Sequence, residues 1–296
     1  MSVGTIWTAL PLRRLAERLL GRGFKVSAST LDVILRESLR LGRRKARKQM
    51  PLGHSKDRQP QFEKLAKLRA EYIAKGWPII SIDTKKKELL GRYAHDGRAW
   101  TDGQLQAFDH DFGSYSEGKA IPYGVYDTVR NEAFVYLATG SDTGELAVDA
   151  IRRWWYRLGR QSYDGVGGML VLADCGGSNG YRVTLFRERL TWLANRLQIP
   201  IRVAHLPPYC SKYNPIDHWL FCHLSRALRG RFCESIEWMQ LLFSEVTTTT
   251  GLSVVAELAR KVYQSGCKAS IVFRQCEATI RDEILGKYNY VFPVSK

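Results

Sequence analysis

Pro78-Ile79-Ile80-Ser81-Ile82-Asp83-Thr84-Lys85-Lys86-Lys87 is an apolar run that ends on a carboxylate and then turns basic. A run this short, bounded by proline and charge, reads as a buried strand. The pattern recurs in Met169-Leu170-Val171-Leu172-Ala173-Asp174, which flows into Cys175-Gly176-Gly177-Ser178-Asn179-Gly180. A third acid, Asp217, lies in Ser211-Lys212-Tyr213-Asn214-Pro215-Ile216-Asp217-His218, at the opening of a helical pattern. Two strand-end aspartates and a helix carboxylate suit a pair of Mg²⁺ ions, which take a few carboxylate oxygens together with waters and substrate phosphates. Such a pair clamps the attacking and leaving oxygens of an in-line displacement. The expectation is phosphodiester chemistry on DNA, with Asp83, Asp174 and Asp217 as metal ligands.

Outward from this stretch the pattern alternates. Strands are predicted at 79–83, 120–126 and 133–139, with residues 89–94 extending or following the first. Helices at 143–158 and 181–197 alternate with strands at 169–173 and 201–205, and helices at 214–229 and 235–247 follow. A hairpin-rich β region followed by alternating helices and parallel strands is the order of a ribonuclease-H-like fold, an α/β mixed sheet with flanking helices. In that order the ends of the first and fourth strands are neighbours, which places Asp83 beside Asp174. The last crossover returns Asp217 to them.

The 296 residues carry a formal charge of +16, and 45% are hydrophobic, enough for a packed core. The charge is uneven. Residues 1–76 hold 18 Lys and Arg against 6 Asp and Glu, a net of +12; the other 220 hold 27 against 23, a net of +4. A basic arm of this kind is the footprint of a polyanion binder. No run approaches the roughly 20 apolar residues of a membrane span, and the start has no secretory pattern. The six cysteines form no Cys-x-x-Cys pair, which argues against a zinc knuckle and reads as reduced thiols. A cytoplasmic, nucleoid-associated protein is expected.

Within the arm, Leu12 to Leu20 repeats apolar residues at helical spacing, and Gly21 and Gly23 end it. Ser27 is a good cap for a second amphipathic stretch, 28–41. Helix, glycine turn and capped helix form a helix-turn-helix pattern or an ordinary helical hairpin. On the first reading Arg36 and Arg40 face DNA. Arg43-Arg44-Lys45-Ala46-Arg47-Lys48 follows, whose five cations bind phosphate readily. The organisation expected is a helix-turn-helix region with a basic tail at 1–50, a linker and connecting helix at 51–77, a catalytic domain at 78–250 and a C-terminal extension at 251–296.

Several motifs together resemble the Rhodopirellula-type DDE transposases of bacterial insertion sequences. They are Ser81 to Gly91, Gly118 to Asp127, Ile151-Arg152-Arg153-Trp154-Trp155, the glycine loop after Asp174, Ser211-Lys212-Tyr213-Asn214 and Thr248-Thr249-Thr250-Gly251-Leu252. Trp7-Thr8-Ala9-Leu10 and His54-Ser55-Lys56-Asp57-Arg58 fit as well, so the resemblance runs from about residue 7 to about residue 270. It implies a transposase that cuts and joins element ends using two Mg²⁺, with Mn²⁺ as a substitute. Double-stranded DNA, as element ends and target, is the implied partner, bound by a homo-oligomer. The third carboxylate of the family is usually Glu, where this chain has Asp217. Relatives usually carry a further helical segment before Trp7, and residues 271–287 depart from the pattern. A truncated, catalytically impaired DNA-binding remnant is therefore the competing expectation. A structure-selective nuclease is a third.

Other residues keep two readings. Lys85 and Lys87 neutralise phosphates or form a solvated strand end. Lys212 and Asn214 touch DNA, or Asn214 caps the helix before Pro215. Gly176, Gly177 and Gly180 let DNA approach or form a plain turn. His218 contacts phosphate or is an ordinary helix histidine. Trp154 and Trp155 read as core residues, and His110-Asp111 as a polar loop.

Overall fold

Strand β1 (Ile79–Thr84) sits mid-sheet because both of its faces are apolar: Ile79, Ile80 and Ile82 are completely buried. The computed structural model describes residues 8, 10–43, 56–98, 100–103, 106–113, 115–275 and 278–295. They belong to two compact units, Met1–Met50 and Pro51–Lys296.

In the first unit, α1 (Leu12–Leu20) follows Pro11 and stops at Gly21, and Gly23 supplies the left-handed turn at φ +89°. The Ser27 side chain accepts from the Thr30 N–H at 3.0 Å and so starts α2 (Ala28–Val33). A wide π turn, Ile34–Ser38, continues it. The helical stretch thus ends before the predicted residue 41, and Arg40 already has a positive φ of 52°.

The second unit opens with α3 (Arg58–Ala74). The helix was expected as a connector, but its Leu65, Leu68 and Tyr72 form an apolar stripe packed on Ile79, Leu170 and Leu172. At its start the Gln61 and Asn289 amides exchange buried hydrogen bonds of 3.0 and 2.7 Å.

The other strands are β2 (Glu88–Leu89), β3 (Lys119–Asp127), β4 (Glu132–Ala138), β5 (Met169–Ala173), β6 (Ile201–His205), β7 (Ser253–Leu258), β8 (Ile280–Arg281) and β9 (Asn289–Phe292). The sheet order is β7-β4-β3-β1-β5-β6-β9-β8, with β2 paired to β3. The β1, β3 and β4 strands run antiparallel, while β5 joins β1 and β6 joins β5 in parallel. That is the ribonuclease-H-like arrangement. Residues beyond 250 do not stand apart from it: β7 pairs in parallel with β4, and β9 pairs antiparallel with β6.

Helix α4 (Gly144–Trp154), capped by the Thr143 side chain, runs through a wide turn into the short α5 (Arg160–Ser162). Together with α6 (Thr184–Leu197) it covers one face, where Trp154 is core as expected. The other face carries α3, α7 (Cys222–Ala227) and α8 (Ile236–Ser244), and Leu220, Leu224, Met239 and Phe243 fill the space against β3, β4 and β7. One further helical turn, α9 (Ile271–Gln275), precedes β8.

Candidate active site

Three chain segments meet at one backbone carbonyl. The β1–β5 ladder ends at Ser81↔Leu172, so the Ile82 carbonyl has no ladder partner on that side. Two side-chain amides take its place. Asn179 Nδ2, from the glycine loop after Asp174, donates to it at 3.5 Å, and Asn214 Nδ2, three residues before Asp217, at 3.4 Å. These bonds are long, and the second is reinforced. The Ser81 hydroxyl donates to Asn214 Oδ1 at 2.6 Å and accepts from the Ile216 N–H at 3.2 Å, while Asn214 Nδ2 also reaches Asp83 Oδ2 at 3.5 Å. Asn214 is completely buried. It therefore ties the Asp217 segment to β1 and has no surface for DNA, which corrects the expectation of a DNA contact.

Asp217 begins a π turn, Asp217–Phe221, that leads into α7. Single π turns inside helices occur frequently at functional sites. The turn lies close to the sheet because Gly124, directly opposite Asp83 in the β1–β3 register, has no side chain. A Cβ there would come within 2.6 Å of Phe221 and 2.7 Å of Ile216. Glycine in a strand interior often marks such a close approach.

The carboxylates sense one another. Burial, and next the charge of Asp174, raises Asp83 to about 7; Asp217 and Asp142 add to the shift. Asp174 is also raised, by burial first and then by Asp217 and Asp142, against the Gly176 N–H that donates to it at 3.2 Å. Burial raises Asp217, and His218 opposes the rise. None of the three makes an ion pair with a described residue. A desolvated cluster of one sign is what a hard cation would neutralise. Two orphaned polar atoms sit with it: Asp142 Oδ1 and the fully buried Tyr123 hydroxyl, neither with a hydrogen-bond partner among the described residues. The donor chemistry therefore fits a divalent ion. Among the described residues, however, no three His, Cys, Asp or Glu side chains stand close enough together to cage one.

Sequence reasoning missed three supports. Asp142, between β4 and α4, follows Ser141 in a loop that gave no motif signal. Ser81 was read only as a strand residue. His205 ends β6, buried, its imidazole held near pKa 4 by desolvation and so neutral. Its Nδ1 lies 2.6 Å from the Asp174 carbonyl and its Nε2 2.7 Å from the Tyr290 hydroxyl. A carbonyl only accepts, so Nδ1–H donates to Asp174 and Nε2 accepts from the Tyr290 hydroxyl. The backbone of Asp174 is thereby held in place.

The basic residues divide. Lys85 is buried at 7% exposure and paired with Glu88, so its charge is already matched. This corrects its expected role on DNA: β1 ends at Thr84, and strand alternation no longer governs where Lys85 points. Lys87 and Lys212 are exposed, the latter with its ammonium 5.0 Å from the Tyr213 ring centre. His218 donates to the Lys212 carbonyl. Gly180 is required sterically, since a Cβ would meet the Cys175 carbonyl at 2.7 Å. In the arm, Arg36 is exposed and paired with Asp32 at 3.0 Å, and Arg43 is exposed. Arg44, Lys45, Arg47 and Lys48 lie outside the described residues.

Among solved structures the fold is similar to chains of the Mos1 transposase. A paired-end complex with left transposon end shows 17% identity and a TM-score of 0.49, over 81% of this chain and 68% of the other. A pre-cleavage Mos1 transpososome shows 19% and 0.49, over 80% and 68%. A mariner Mos1 paired-end complex with Mg shows 17% and 0.48, over 82% and 75%. No curated protein matches the chain. The model of the Rhodopirellula transposase DDE domain matches residues 1–293, including residues 271–287, where the sequence reading saw a departure. With the strand order and the acid-bearing segments in place, a match of that extent makes the chain a member of the Rhodopirellula transposase DDE domain family.

Proposed function

We propose that this chain is an active transposase that cuts DNA at element ends and joins the freed ends to target DNA, with Asp83, Asp174 and Asp217 as its carboxylate triad. The observation that carries this reading is the convergence of three acid-bearing segments on the Ile82 carbonyl, with partly desolvated, coupled acids that have no cation partner among the described residues. The three acids would hold Mg²⁺, with Mn²⁺ as a substitute, and Asp142 stands near enough to share its field. A bound metal pair would neutralise the scissile phosphate and activate the attacking oxygen.

The chain's own groups hold this geometry. Asn214 and Ser81 fix the segment before Asp217 against β1. Asn179 spans from the glycine loop to the same strand. Neutral His205 pins the Asp174 carbonyl. Gly124 lets the π turn lie close to the sheet, which would offset the one methylene by which Asp217 is shorter than Glu. The α1–α2 hairpin reads as a helix-turn-helix arm, with Arg36, Arg40, Arg43 and the basic run to Lys48 on DNA phosphates. Lys87 and Lys212 are exposed cations close to Asp83 and Asp217 in the sequence, and they serve the same role. A homo-oligomer assembled on two DNA ends, acting at the nucleoid, completes the proposal. Among the described residues no helix is long and apolar enough to cross a membrane.

The test is Mg²⁺- or Mn²⁺-dependent nicking of DNA carrying the element's own ends, comparing wild type with Asp174→Asn and Asp217→Glu. Nicking by wild type that Asp174→Asn abolishes is expected. End-specific binding without nicking in any of the three would overturn the catalytic reading in favour of a DNA-binding remnant. Nicking only in Asp217→Glu would make the shorter acid the lesion.

A further inference from the structure

Away from the carboxylates, a cleft of about 670 Å³ opens where the segment after α7 meets the loop after β2. Its walls carry Arg98, Arg226, Arg229 and Arg231, with the indoles of Trp100 and Trp238. Among the described residues none of the four guanidinium groups has a carboxylate partner. Glu234 is the one acid in the lining, leaving an excess of three positive charges. Trp100 is fully exposed, at 104%. A tryptophan left wholly to water thus stands beside four arginines that have no carboxylate partner among the described residues.

The cleft is a built feature. The Gly91 N–H donates to the Cys233 carbonyl at 2.7 Å, and the Gly230 N–H to the His95 carbonyl at 3.2 Å. His95 Nδ1 sits 3.1 Å from the Arg231 carbonyl, while its Nε2 lies 3.1 Å from Glu88 Oε2. Gly97, at φ +131°, lets the loop lie against Arg229, where a Cβ would come within 2.7 Å of the arginine's own Cβ. Two loops distant in sequence are thus held at a set spacing.

Guanidinium groups match phosphate in a planar fork, and indole faces stack on bases. The cleft is also of the size that admits a small ligand, whereas a stacked duplex has no free base to insert. Arg226 follows Asp217 by nine residues, roughly 13 Å along a helix at about 1.5 Å per residue. That separation is on the order of 4 nucleotides of strand at about 3.4 Å each. We infer that this cleft binds unpaired nucleotides of the DNA strand flanking the cut, with phosphates on the arginines and a base against Trp100. The inference rests on the transposase reading of the Asp83 site and names a second contact for the same substrate.

The test measures binding of the full chain, with metal chelated, to a short DNA duplex bearing a single-stranded extension and to the same duplex with blunt ends. Wild type is expected to prefer the extended probe by about 10-fold or more, in line with stacking of one base. Trp100→Ala should abolish most of that preference and Trp100→Phe restore it; a fully exposed side chain leaves the core untouched when removed. Arg226→Ala with Arg229→Ala should weaken binding and flatten its salt dependence by about 0.7 per arginine lost. Equal affinity of wild type for both probes, or an unchanged preference in Trp100→Ala, overturns the inference. Preference for an RNA extension over DNA by 10-fold overturns the DNA assignment. Nicking measured in parallel separates the two readings. A chain that nicks but ignores the extension refutes the cleft alone. A chain that holds the extension through Trp100 and never nicks supports the cleft and refutes the catalytic proposal.

Discussion

The segment 217–231 has like charges clustered at both ends, and the two clusters are handled differently. At the Asp217 end the acids are half-buried, and burial is the main influence on each of them. Their positions are held by neutral groups, the amides of Asn179 and Asn214 and the imidazole of His205. At the Arg226 end the arginines face solvent, which screens their repulsion, and backbone bonds between two loops set their spacing. Half-buried like charges need a fixed frame, while exposed ones need only a rigid wall behind them. Lys85 and Glu88 show the alternative, a buried pair neutralised internally.

The strongest challenge to this comparison is Asp174→Asn. Loss of a carboxylate from the triad should cut metal-dependent nicking by more than about 100-fold, beyond the usual 10–100-fold range for outer partners. Nicking within about 10-fold of wild type would remove Asp174 from the chemistry. Next, Lys85→Ala should cost about 3 kcal/mol in urea unfolding, because it strands a buried Glu88, with His95 as its remaining partner. Lys87→Ala should cost nothing measurable; equal effects of the two would show that Lys85 is not internal. Asn214→Ala comes third. It takes away the acceptor of the Ser81 hydroxyl proton, leaving only the Ile216 N–H bond to that oxygen, and weakens the frame, at about 1–3 kcal/mol of stability, and should lower nicking as well.

The smallest effect is in pH. Asp83, raised to about 7 from 3.8, binds its proton more tightly folded than unfolded, so between those values its contribution to stability falls as pH rises. His205, lowered from 6.5 to about 4, acts in the opposite sense between those values. The melting difference between Asp83→Asn and wild type, both free of metal, isolates Asp83. It should favour the variant increasingly from pH 5 to pH 8, by roughly 2–4 °C, the shift produced by about 1 kcal/mol in a domain of this size. A difference that is flat across that range would mean the cluster is better hydrated than its burial indicates.

The centre of the sheet was legible because β1 and β5 are apolar runs closed by polar residues, and helices α4 and α6 keep a periodic apolar stripe. The rim was not. Ser253-Val254-Val255-Ala256-Glu257-Leu258 becomes a strand only because β4 offers a free edge, and no local signal announces that. Likewise Asp83, Asp174 and Asp217 stood out by position, but the polar residues that frame them did not. Ser81 and Asn214 are 133 residues apart in the chain, and His205 reaches a carbonyl 31 residues away. A single polar residue carries no mark of so distant a partner. The Lys85 reading failed for a related reason, since nothing in the sequence marks Glu88, three residues on, as its buried partner beyond the end of the strand at Thr84.

The π turn at Asp217–Phe221 also bears on how this chain tolerates change. A π turn carries an extra residue relative to the α ladder around it. The turn absorbs that residue within itself, so deleting one residue there would restore the α ladder and leave the flanking turns facing nearly as they do. Leu220 and Leu224 would keep their packing, and the change would fall on the turn that begins at Asp217. In this segment a single-codon deletion would leave a folded protein, and the measure of the π turn is whether the third acid works without it.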